Sequence, residues 1–307
     1  MITPPALSAG ARVGIVAPAS GCARAEFELG VTELRRLGYE PVYDESVFAT
    51  STFTAGSPAV RAAAFRRAWD DPTIAAIIAA RGGYGSVQLL PIFDGWWPQQ
   101  TPKVFVGYSD NTSLLTWLTC RCGLTALHGP MIDGRLAKGV AGYDAASFRA
   151  LACGQGAGLE FRPEGLVTLK AGEAEGALFG GTLTQLVASL GTPYAFAPPD
   201  GSILFIEDVN ERPYRIDRML TQLLLAGVFR HARGLVFGEM PGCDDPAGAP
   251  TARDTIRDFT AVFPGPVLFG FPSGHTIGPC WTLPLGVRVS MQTAPSAVLR
   301  VEESPVG

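Results

Sequence analysis

A serine that closely follows a short strand is the residue best placed in this chain to do chemistry. The segment Lys103–Gly107 is rich in β-branched and aromatic residues, Ser109 comes two positions later, and an apolar pattern of helical spacing begins at Leu114. A strand, a sharp turn with a serine at its apex and a helix form the layout of a nucleophile elbow, which exposes the hydroxyl above a sheet. Asn111 occupies the second glycine position of the usual G-x-S-x-G form, and a serine here could also be a plain helix cap.

A serine hydroxyl is a poor nucleophile unless an imidazole accepts its proton and a carboxylate orients that imidazole. His275 follows an apolar segment and a glycine, whereas His128 lies in Leu127-His-Gly-Pro130 and competes for the same role. Glu207 directly continues four apolar residues, so we expect it at the mouth of a sheet. The chain therefore offers one candidate of each kind at a strand end, namely Ser109, Glu207 and His275. The remaining histidine, His231, is predicted to be a solvated loop residue.

The hydrophobic pattern predicts the elements that must position these groups. The first 130 residues alternate strand and helix signals, which predicts a parallel sheet whose sites lie at the carboxyl ends of its strands. We predict an N-terminal α/β domain (1–140) that carries the serine, a glycine-rich linker (141–175) and a smaller C-terminal α/β domain with mixed strands (176–307). The predicted strands cover about 12–17, 73–80, 103–107, 203–206, 234–238 and 266–271, and the predicted helices about 27–34, 58–69, 180–190 and 216–224.

Composition excludes several classes of protein. Of the 307 residues 47% are hydrophobic and 17% are charged, which is typical of a compact enzyme rather than a disordered chain. The net charge is −4 with scattered basic residues, so no nucleic-acid footprint is predicted. No apolar run approaches the roughly 20 residues of a membrane span, and the N-terminus lacks the pattern of a signal peptide, which predicts a cytoplasmic protein. The six cysteines are dispersed, so we predict free thiols and no metal site.

A glycine-rich loop, Arg81-Gly-Gly-Tyr-Gly85, follows the apolar run that ends at Ala80. Three glycines in five residues let the backbone approach a ligand closely and turn its N–H groups outward. The loop lacks the spacing of a phosphate-binding motif. It is therefore either a tight turn or a strand end that contributes to an oxyanion hole.

Taken together, these segments resemble the LD-carboxypeptidase family of serine peptidases over residues 10 to 290. The resemblance implies that Ser109 is the nucleophile, that Glu207 and His275 complete a triad, and that the N–H groups of Gly83 and Asp110 form the oxyanion hole. It also implies that the triad is divided between two domains. The segments that carry the resemblance are 13–20, 81–85, 107–110, 127–130, 191–193, 207–211, 213–217 and 274–275.

The resemblance implies a substrate as well as a mechanism. One branch of the family releases D-alanine from murein tetrapeptides during peptidoglycan recycling, and the segment 207–218 is most similar to that branch. Members of the family need no cofactor and are often homodimers. Candidate substrate contacts are Arg81, Tyr84 and Arg212. Thr182 departs from the asparagine that is usual at its position, which puts a polar contact near the cleft in question.

Two alternatives stay open from the sequence. The other branch of the family hydrolyses a carboxamide in microcin C-type peptide-nucleotide antibiotics and confers self-immunity; it would need an aromatic surface for a base, which Trp281 or the pair Trp96-Trp97 could supply. A non-catalytic module could instead hold a nucleotide with the loops 17–21 and 81–85. That module would explain the glycines, but it would leave the serine, glutamate and histidine as a coincidence.

Overall fold

The computed structural model describes residues 1–307 and contains two β-sheets flanked by helices. The strands are β1 Arg12–Val16, β2 Glu40–Val42, β3 Ala76–Ala79, β4 Val104–Gly107, β5 Ala126–His128, β6 Glu160–Phe161, β7 Val167–Lys170, β8 Glu173–Thr182, β9 Ile203–Glu207, β10 Gly234–Gly238, β11 Val267–Phe271, β12 Leu283–Leu285, β13 Arg288–Gln292 and β14 Val298–Val301. The α-helices are α1 Arg24–Arg36, α2 Pro58–Asp70, α3 Thr112–Thr116, α4 Ala145–Ala152, α5 Leu183–Ala188, α6 Pro213–Leu225 and α7 Ala252–Phe259.

The first sheet has the strand order β12-β5-β4-β3-β1-β2. Strands β1 to β5 are parallel, and only β12 is antiparallel to its neighbour. Every residue of β3 and β4 is buried, as expected for central strands that are covered on both faces. Because these strands are parallel, the loops that follow β3, β4 and β5 meet at one edge of the sheet.

The second sheet has the order β6-β14-β13-β8-β9-β10-β11-β7. Its centre, β8 to β11, is parallel, and its two sides are antiparallel. The carboxyl ends of β9, β10 and β11 lie side by side and lead into Glu207, Glu239 and the segment that holds His275. The predicted class, an α/β protein with a parallel N-terminal sheet and a mixed C-terminal sheet, is confirmed.

Several elements confirm local sequence signals. Helix α2 begins at Pro58 with the side chain of Ser57 accepting a hydrogen bond from the N–H of Val60, as the Ser-Pro pair predicts. Helix α6 buries four of the five residues of the predicted apolar stripe, Leu224 being the exposed one, and ends before Gly227, which has φ 81°. No helix is long and apolar enough to cross a membrane.

The predicted helix over 180–190 is wrong in its first three residues. Residues 180–182 continue β8, and the helix starts only at Leu183. Gly180 and Gly181 have φ values of 136° and 147°, and a Cβ atom on Gly180 would lie 1.8 Å from the carbonyl oxygen of Phe205 on β9. The glycines thus allow two strands to approach each other, which a helical spacing pattern does not reveal.

The segment interpreted as a linker contains regular structure. Residues 141–175 include helix α4 and strands β6 and β7, and both strands pair with the second sheet. Strand β12, from the C-terminal part of the chain, pairs with β5 of the first sheet. The two halves of the chain are therefore connected through shared strands, and the division at residues 140 and 175 stays a prediction.

Candidate active site

Ser109 lies at the apex of a sharp turn between β4 and α3. Its φ is 63°, in the left-handed region that costs a non-glycine residue backbone strain. A short 3₁₀ turn over 109–111 then leads into α3, so the predicted strand, turn and helix are all present. A Cβ atom on Gly82 would lie 2.8 Å from the Cβ of Ser109, so the loop after β3 must carry glycine there. Buried Asn111, in place of the second glycine, donates from Nδ2 to the carbonyl oxygen of Arg81 at 3.1 Å and joins the two loops.

Glu207 and His275 form a carboxylate–imidazole pair. Oε2 of Glu207 accepts hydrogen bonds from Nδ1 of His275 at 2.8 Å and from its backbone N–H at 2.9 Å. Oε1 of Glu207 accepts a hydrogen bond from the hydroxyl of Thr182. The glutamate side chain is fully buried, whereas 20% of the histidine side chain is exposed. The pair therefore has a buried orienting end and an imidazole that solvent or a ligand can reach.

Charge and burial oppose each other at this pair. Burial by itself would lower the pKa of His275, but the charge and hydrogen bond of Glu207 outweigh it, so the pKa is raised above its usual 6.5. Burial would raise the pKa of Glu207, yet the imidazole charge and the donated hydrogen bonds hold it below its ordinary range. The neighbouring Asp208 has a pKa raised to about 6 by burial and by Glu207. The buried carboxylate thus stabilises the protonated form of the imidazole more than water would.

Tyr108 joins the serine turn to the histidine. Its ring packs edge-to-face on the imidazole of His275, with ring centroids 5.1 Å apart, and the next residue in the chain is Ser109. The structure shows no hydrogen bond between the serine hydroxyl and the imidazole, whose one hydrogen-bonded nitrogen is Nδ1. Catalytic hydrogen bonds of this kind often tighten only in the complex with substrate. Glu207 and His275 are thus in direct contact, and Ser109, from the other sheet, directly follows the tyrosine that packs on His275.

The glycine-rich loop after β3 presents an amide beside the serine turn. Gly83 has φ 100°, and its N–H donates to no acceptor in the chain. Ser20 anchors this loop, because its Oγ accepts a hydrogen bond from the N–H of Tyr84 at 3.1 Å and donates one to the carbonyl oxygen of Phe53 at 2.7 Å. Asp110 supplies a second amide in the first turn after Ser109, where helical N–H groups lack intrahelical partners. Both amides can donate hydrogen bonds to an oxygen atom that develops negative charge.

Asp110 itself is held by its side chain and carbonyl oxygen. Its carboxylate accepts the N–H of Ser86 at 2.7 Å, and its carbonyl oxygen accepts the hydroxyl of the same serine at 2.6 Å. Buried Arg61, on α2, donates hydrogen bonds to the carbonyl oxygens of Pro18 and Gly85 and so connects the glycine-rich loop to that helix. These contacts leave the backbone of the turn rigid around Ser109.

The structure does not gather all predicted substrate contacts. The guanidinium of Arg81 forms an ion pair with Asp133 at 3.4 Å and is half exposed. Tyr84 is half exposed on the glycine-rich loop, and Arg212 is exposed at the start of α6. His231 is an exposed residue of the turn after α6. No contact in the structure joins the two arginines or the tyrosine to the triad residues.

His128 is not placed as the base that acts on Ser109. Its imidazole is fully buried, Nδ1 shares a hydrogen bond with the hydroxyl of Ser273 at 2.9 Å, and Nε2 has no partner. Burial lowers its pKa to about 4, so the ring is neutral at pH 7. A Cβ atom on Gly274 would lie 2.7 Å from this ring and 2.8 Å from the carboxyl carbon of Glu207. His128 therefore packs behind the Glu207–His275 pair, against Gly274.

The tryptophans considered for base stacking differ in exposure. Trp281 packs against Phe161 and Phe271. Trp96 belongs to an aromatic cluster of the first domain, whereas Trp97 is 63% exposed. Only Trp97 presents a free ring, and it lies in the segment between β3 and β4.

Three further residues shape the site, and sequence reasoning missed two of them, Glu239 and Arg135. Thr182 hydrogen-bonds the buried oxygen of Glu207, so the threonine itself supplies a polar contact at the position where asparagine was expected. Glu239 follows the apolar strand β10 in the same way that Glu207 follows β9, a signal that could have revealed it. Its Oε2 accepts the N–H of Ile277 at 2.8 Å and the hydroxyl of Thr276, which holds the segment after His275. The third is Arg135, for which no local pattern offers a signal.

Known proteins resemble this chain over nearly its whole length. A family model described as the LD-carboxypeptidase N-terminal domain matches residues 13–129, and one described as the LD-carboxypeptidase C-terminal domain matches residues 175–291. The probable murein peptide carboxypeptidase of Bacillus subtilis is 32% identical, with 95% of this chain and 92% of that protein covered. The murein tetrapeptide carboxypeptidase of Pseudomonas aeruginosa is 33% identical, with 86% and 88% covered.

A second group of similar proteins carries a different name. The microcin C7 self-immunity protein MccF of Escherichia coli is 29% identical, with 90% of this chain and 88% of that protein covered. The structure of MccF in complex with glutamyl sulfamoyl guanosine has a TM-score of 0.89 at 23% identity and covers both chains fully. The muramoyltetrapeptide carboxypeptidase of Oxalobacter formigenes has a TM-score of 0.81 at 27% identity, with 96% of this chain and all of that chain covered.

Proposed function

Because the chain belongs to the LD-carboxypeptidase family, we propose that it is a serine-type carboxypeptidase that releases D-alanine from murein tetrapeptides. The observation that carries the proposal is the Glu207–His275 pair, with the carboxylate buried and 2.8 Å from Nδ1. A carboxylate on Nδ1 leaves Nε2 of the imidazole as the proton acceptor, which is the tautomer that a serine nucleophile needs.

In the proposed reaction Ser109 attacks the carbonyl carbon of the L,D-peptide bond. His275 accepts the hydroxyl proton through Nε2 as the C–O bond forms, and the carbonyl oxygen becomes an oxyanion. The amides of Gly83 and Asp110 donate hydrogen bonds to that oxyanion. The imidazolium then protonates the leaving nitrogen, D-alanine departs, and water attacks the acyl-enzyme by the same steps in reverse.

Glu207 acts on the imidazole and not on the substrate. Its charge stabilises the imidazolium that exists while the proton is in transit, and the two hydrogen bonds to one residue fix the orientation of the ring. The hydrogen bond from Thr182 occupies the other carboxylate oxygen, so the carboxylate has no freedom to rotate. Glu207 is fully buried, whereas part of the His275 side chain is exposed, and this difference supports the proposal that only the histidine exchanges protons with the substrate.

An exopeptidase must also bind the carboxylate of the terminal residue. Arg81 is the proposed contact, because the residue that follows it in the chain, Gly82, lies directly against the side chain of Ser109. Its guanidinium is half exposed and has only one ion-pair partner, so it retains donors for a substrate carboxylate. Tyr84 and Arg212 stay candidates for the same task.

The test of the function is hydrolysis of L-Ala-γ-D-Glu-meso-diaminopimelate-D-Ala followed by mass spectrometry. We expect the loss of a single D-alanine. The matched control is the same peptide with L-alanine at its end, which should stay intact. Cleavage of both peptides, or of neither, would contradict the proposed specificity.

A second candidate is supported by the 29% identity to the microcin C7 self-immunity protein. In that case the site would hydrolyse a carboxamide that links a peptide to a nucleotide, and the exposed ring of Trp97 would be available for the base. An intact tetrapeptide together with cleavage of an aminoacyl sulfamoyl adenosine would select this candidate. The same Ser109 would be the nucleophile in both reactions.

The pH dependence should reflect the raised pKa of His275. The imidazole accepts the serine proton only when it is neutral, so kcat/KM should rise with pH through the pKa of the free enzyme. Because Glu207 raises that pKa, the acid limb should have its midpoint above 6.5. Measurement of kcat/KM for the tetrapeptide across pH checks this, and a midpoint at or below 6.5 would show that another group controls the reaction.

Substitution of Gly83 by alanine should remove one oxyanion donor. Its φ of 100° suits glycine alone, and a Cβ atom there would lie 2.4 Å from Oγ of Ser20, so the loop must move. We expect kcat to fall about 10²-fold or more, as for the loss of a single oxyanion donor. Gly38→Ala is the matched control, because Gly38 has φ 94° and open space around it, far from the site. Equal losses in both variants would indicate general destabilisation.

A further inference from the structure

The segment that carries His275 is held by an arginine from the other part of the chain. We call residues 273–278 the histidine loop. Arg135, in the segment after β5 of the first sheet, donates from one terminal nitrogen to the carbonyl oxygens of Gly274 at 2.8 Å and Thr276 at 3.0 Å. Its other terminal nitrogen donates to the carbonyl oxygen of Gly278 at 3.1 Å. The carbonyl groups on both sides of His275 are thus attached to one guanidinium.

The guanidinium of Arg135 has no carboxylate partner. Only 9% of the residue is exposed, and no acidic oxygen lies within ion-pair distance of it. Its charge is balanced by the three carbonyl dipoles and by the face of the Tyr108 ring, whose centroid is 5.9 Å away. Burying a cation without a counter-charge is costly, so stability alone does not account for an arginine here.

We propose that Arg135 is a positioning residue, which fixes the histidine loop so that His275 stays on Glu207 and faces the turn of Ser109. The inference rests on the proposed function and goes beyond it, because it assigns part of the triad geometry to the domain that carries the nucleophile. The same guanidinium contacts Tyr108, which precedes the serine. Arg135 therefore links both halves of the reacting site.

The remaining contacts of the histidine loop do not replace the three hydrogen bonds from Arg135. Glu239 holds Ile277 and Thr276 from the second sheet, and Glu207 holds the imidazole and the N–H of His275. Both of these come from the same sheet as the loop itself, so neither sets its distance from Ser109. From the side of the first sheet, His128 reaches only Ser273 and the Tyr108 ring reaches only the imidazole, whereas Arg135 donates hydrogen bonds to the carbonyl groups on both sides of His275. A displacement of about 1 Å between reacting groups can cost about 10²-fold in rate.

Five charged or titratable groups face the imidazole of His275, and one of them, Tyr108, is neutral at pH 7 because burial raises its pKa to about 12. Glu207 and Asp208, at the end of β9, raise its pKa, whereas Arg135 and the burial of the ring lower it. The remaining group, His128, is neutral at pH 7 because burial lowers its pKa to about 4. Loss of the Arg135 charge should therefore raise the pKa of His275 further and move the acid limb of kcat/KM to higher pH.

Two variants separate geometry from charge. Arg135→Lys keeps the cation but cannot donate to three carbonyl groups in a planar fork, whereas Arg135→Met removes both the fork and the charge. Lys103→Met is the matched control: Lys103 is a buried cation that donates to the carbonyl oxygens of Asp71 and Ile74 at the opposite end of the first sheet. Thermal unfolding of all three variants gives the loss of stability in each.

The readouts are kcat for the tetrapeptide and the NMR titration of the imidazole of His275, identified by its absence in His275→Gln. We expect kcat to fall about tenfold to 10²-fold in both Arg135 variants, with KM little changed. The pKa of His275 should rise in Arg135→Met and stay near that of the wild type in Arg135→Lys. Lys103→Met should change neither quantity, even where it lowers the melting temperature.

Three results would overturn the proposal: a wild-type kcat in Arg135→Met, an unchanged titration of His275 in that variant, or an equal loss of kcat in Lys103→Met. Failure of the proposed function is distinguishable, since the titration needs no substrate. If the wild type leaves the tetrapeptide intact, the rate at which a fluorophosphonate labels Ser109 replaces kcat. That rate should show the same order of variants.

Discussion

Ser109→Ala should lower kcat/KM for the tetrapeptide by about 10³-fold or more, because no other hydroxyl is held at the apex of the turn. The fold should persist. The side chain of Ser109 makes none of the hydrogen bonds that hold the loops, which involve instead the side chains of Asn111 and Ser86 as donors and of Ser20 as an acceptor. Alanine also bears the positive φ of 63° no worse than serine does.

The measurement is steady-state hydrolysis with mass-spectrometric detection, together with fluorophosphonate labelling. Ser113→Ala is the matched control, since Ser113 lies four residues later, on α3, and is partly exposed. We expect the control to react and to be labelled like the wild type. Near-wild-type turnover by Ser109→Ala would exclude Ser109 as the nucleophile, whichever substrate is used.

Glu207→Gln should lower kcat by about 10²-fold to 10⁴-fold, as expected for loss of the charge that stabilises an imidazolium. The shape of the side chain is kept, and the amide nitrogen can occupy the position next to Thr182, so the oxygen that faces His275 can be retained. What is lost is the negative charge. The variant therefore tests electrostatics with little change in packing.

The same variant should change the pH profile in a defined direction. Glu207 raises the pKa of His275, so its neutralisation should move the acid limb to lower pH, opposite to the shift expected for Arg135→Met. Glu33→Gln is the matched control, because Glu33 is also a buried carboxylate, on α1, hydrogen-bonded to Arg36 and Tyr143. If the acid limb of the pH profile does not shift in Glu207→Gln, the carboxylate does not set the pKa of His275.

The sequence patterns predicted the local elements well where one short segment contains all the information. The apolar run before Glu207 and the spacing of helix α6 depend on neighbours within a few residues, and both elements form as expected. The pattern was misleading at Gly180, because the close approach of β8 and β9 decides the conformation there. The glycine-rich segment 141–175 shows the same limitation, since its strands are completed by distant partners.

The choice between two histidines shows what local sequence could not decide. His128 ends a strand and precedes a glycine, whereas His275 comes shortly after a strand and follows a glycine, so their patterns are nearly equivalent. The structure buries His128 completely and leaves the imidazole of His275 partly exposed on the Glu207 carboxylate. Burial lowers the pKa of both rings, and it is the charge and hydrogen bond of Glu207, a residue distant in sequence, that raise the pKa of His275 in spite of it.

By itself the sequence determined the α/β class, the turn at Ser109 and the positions of Glu207 and His275 at strand ends, because strands and tight turns are encoded within about ten consecutive residues. Only the tertiary structure decided that His275 lies on the carboxylate of Glu207 and beside Tyr108, the residue before Ser109, and that Arg135 and Glu239 hold the histidine loop between them. Such contacts join residues more than one hundred positions apart in the case of Arg135, and no local pattern records which distant carbonyl group a buried guanidinium will reach.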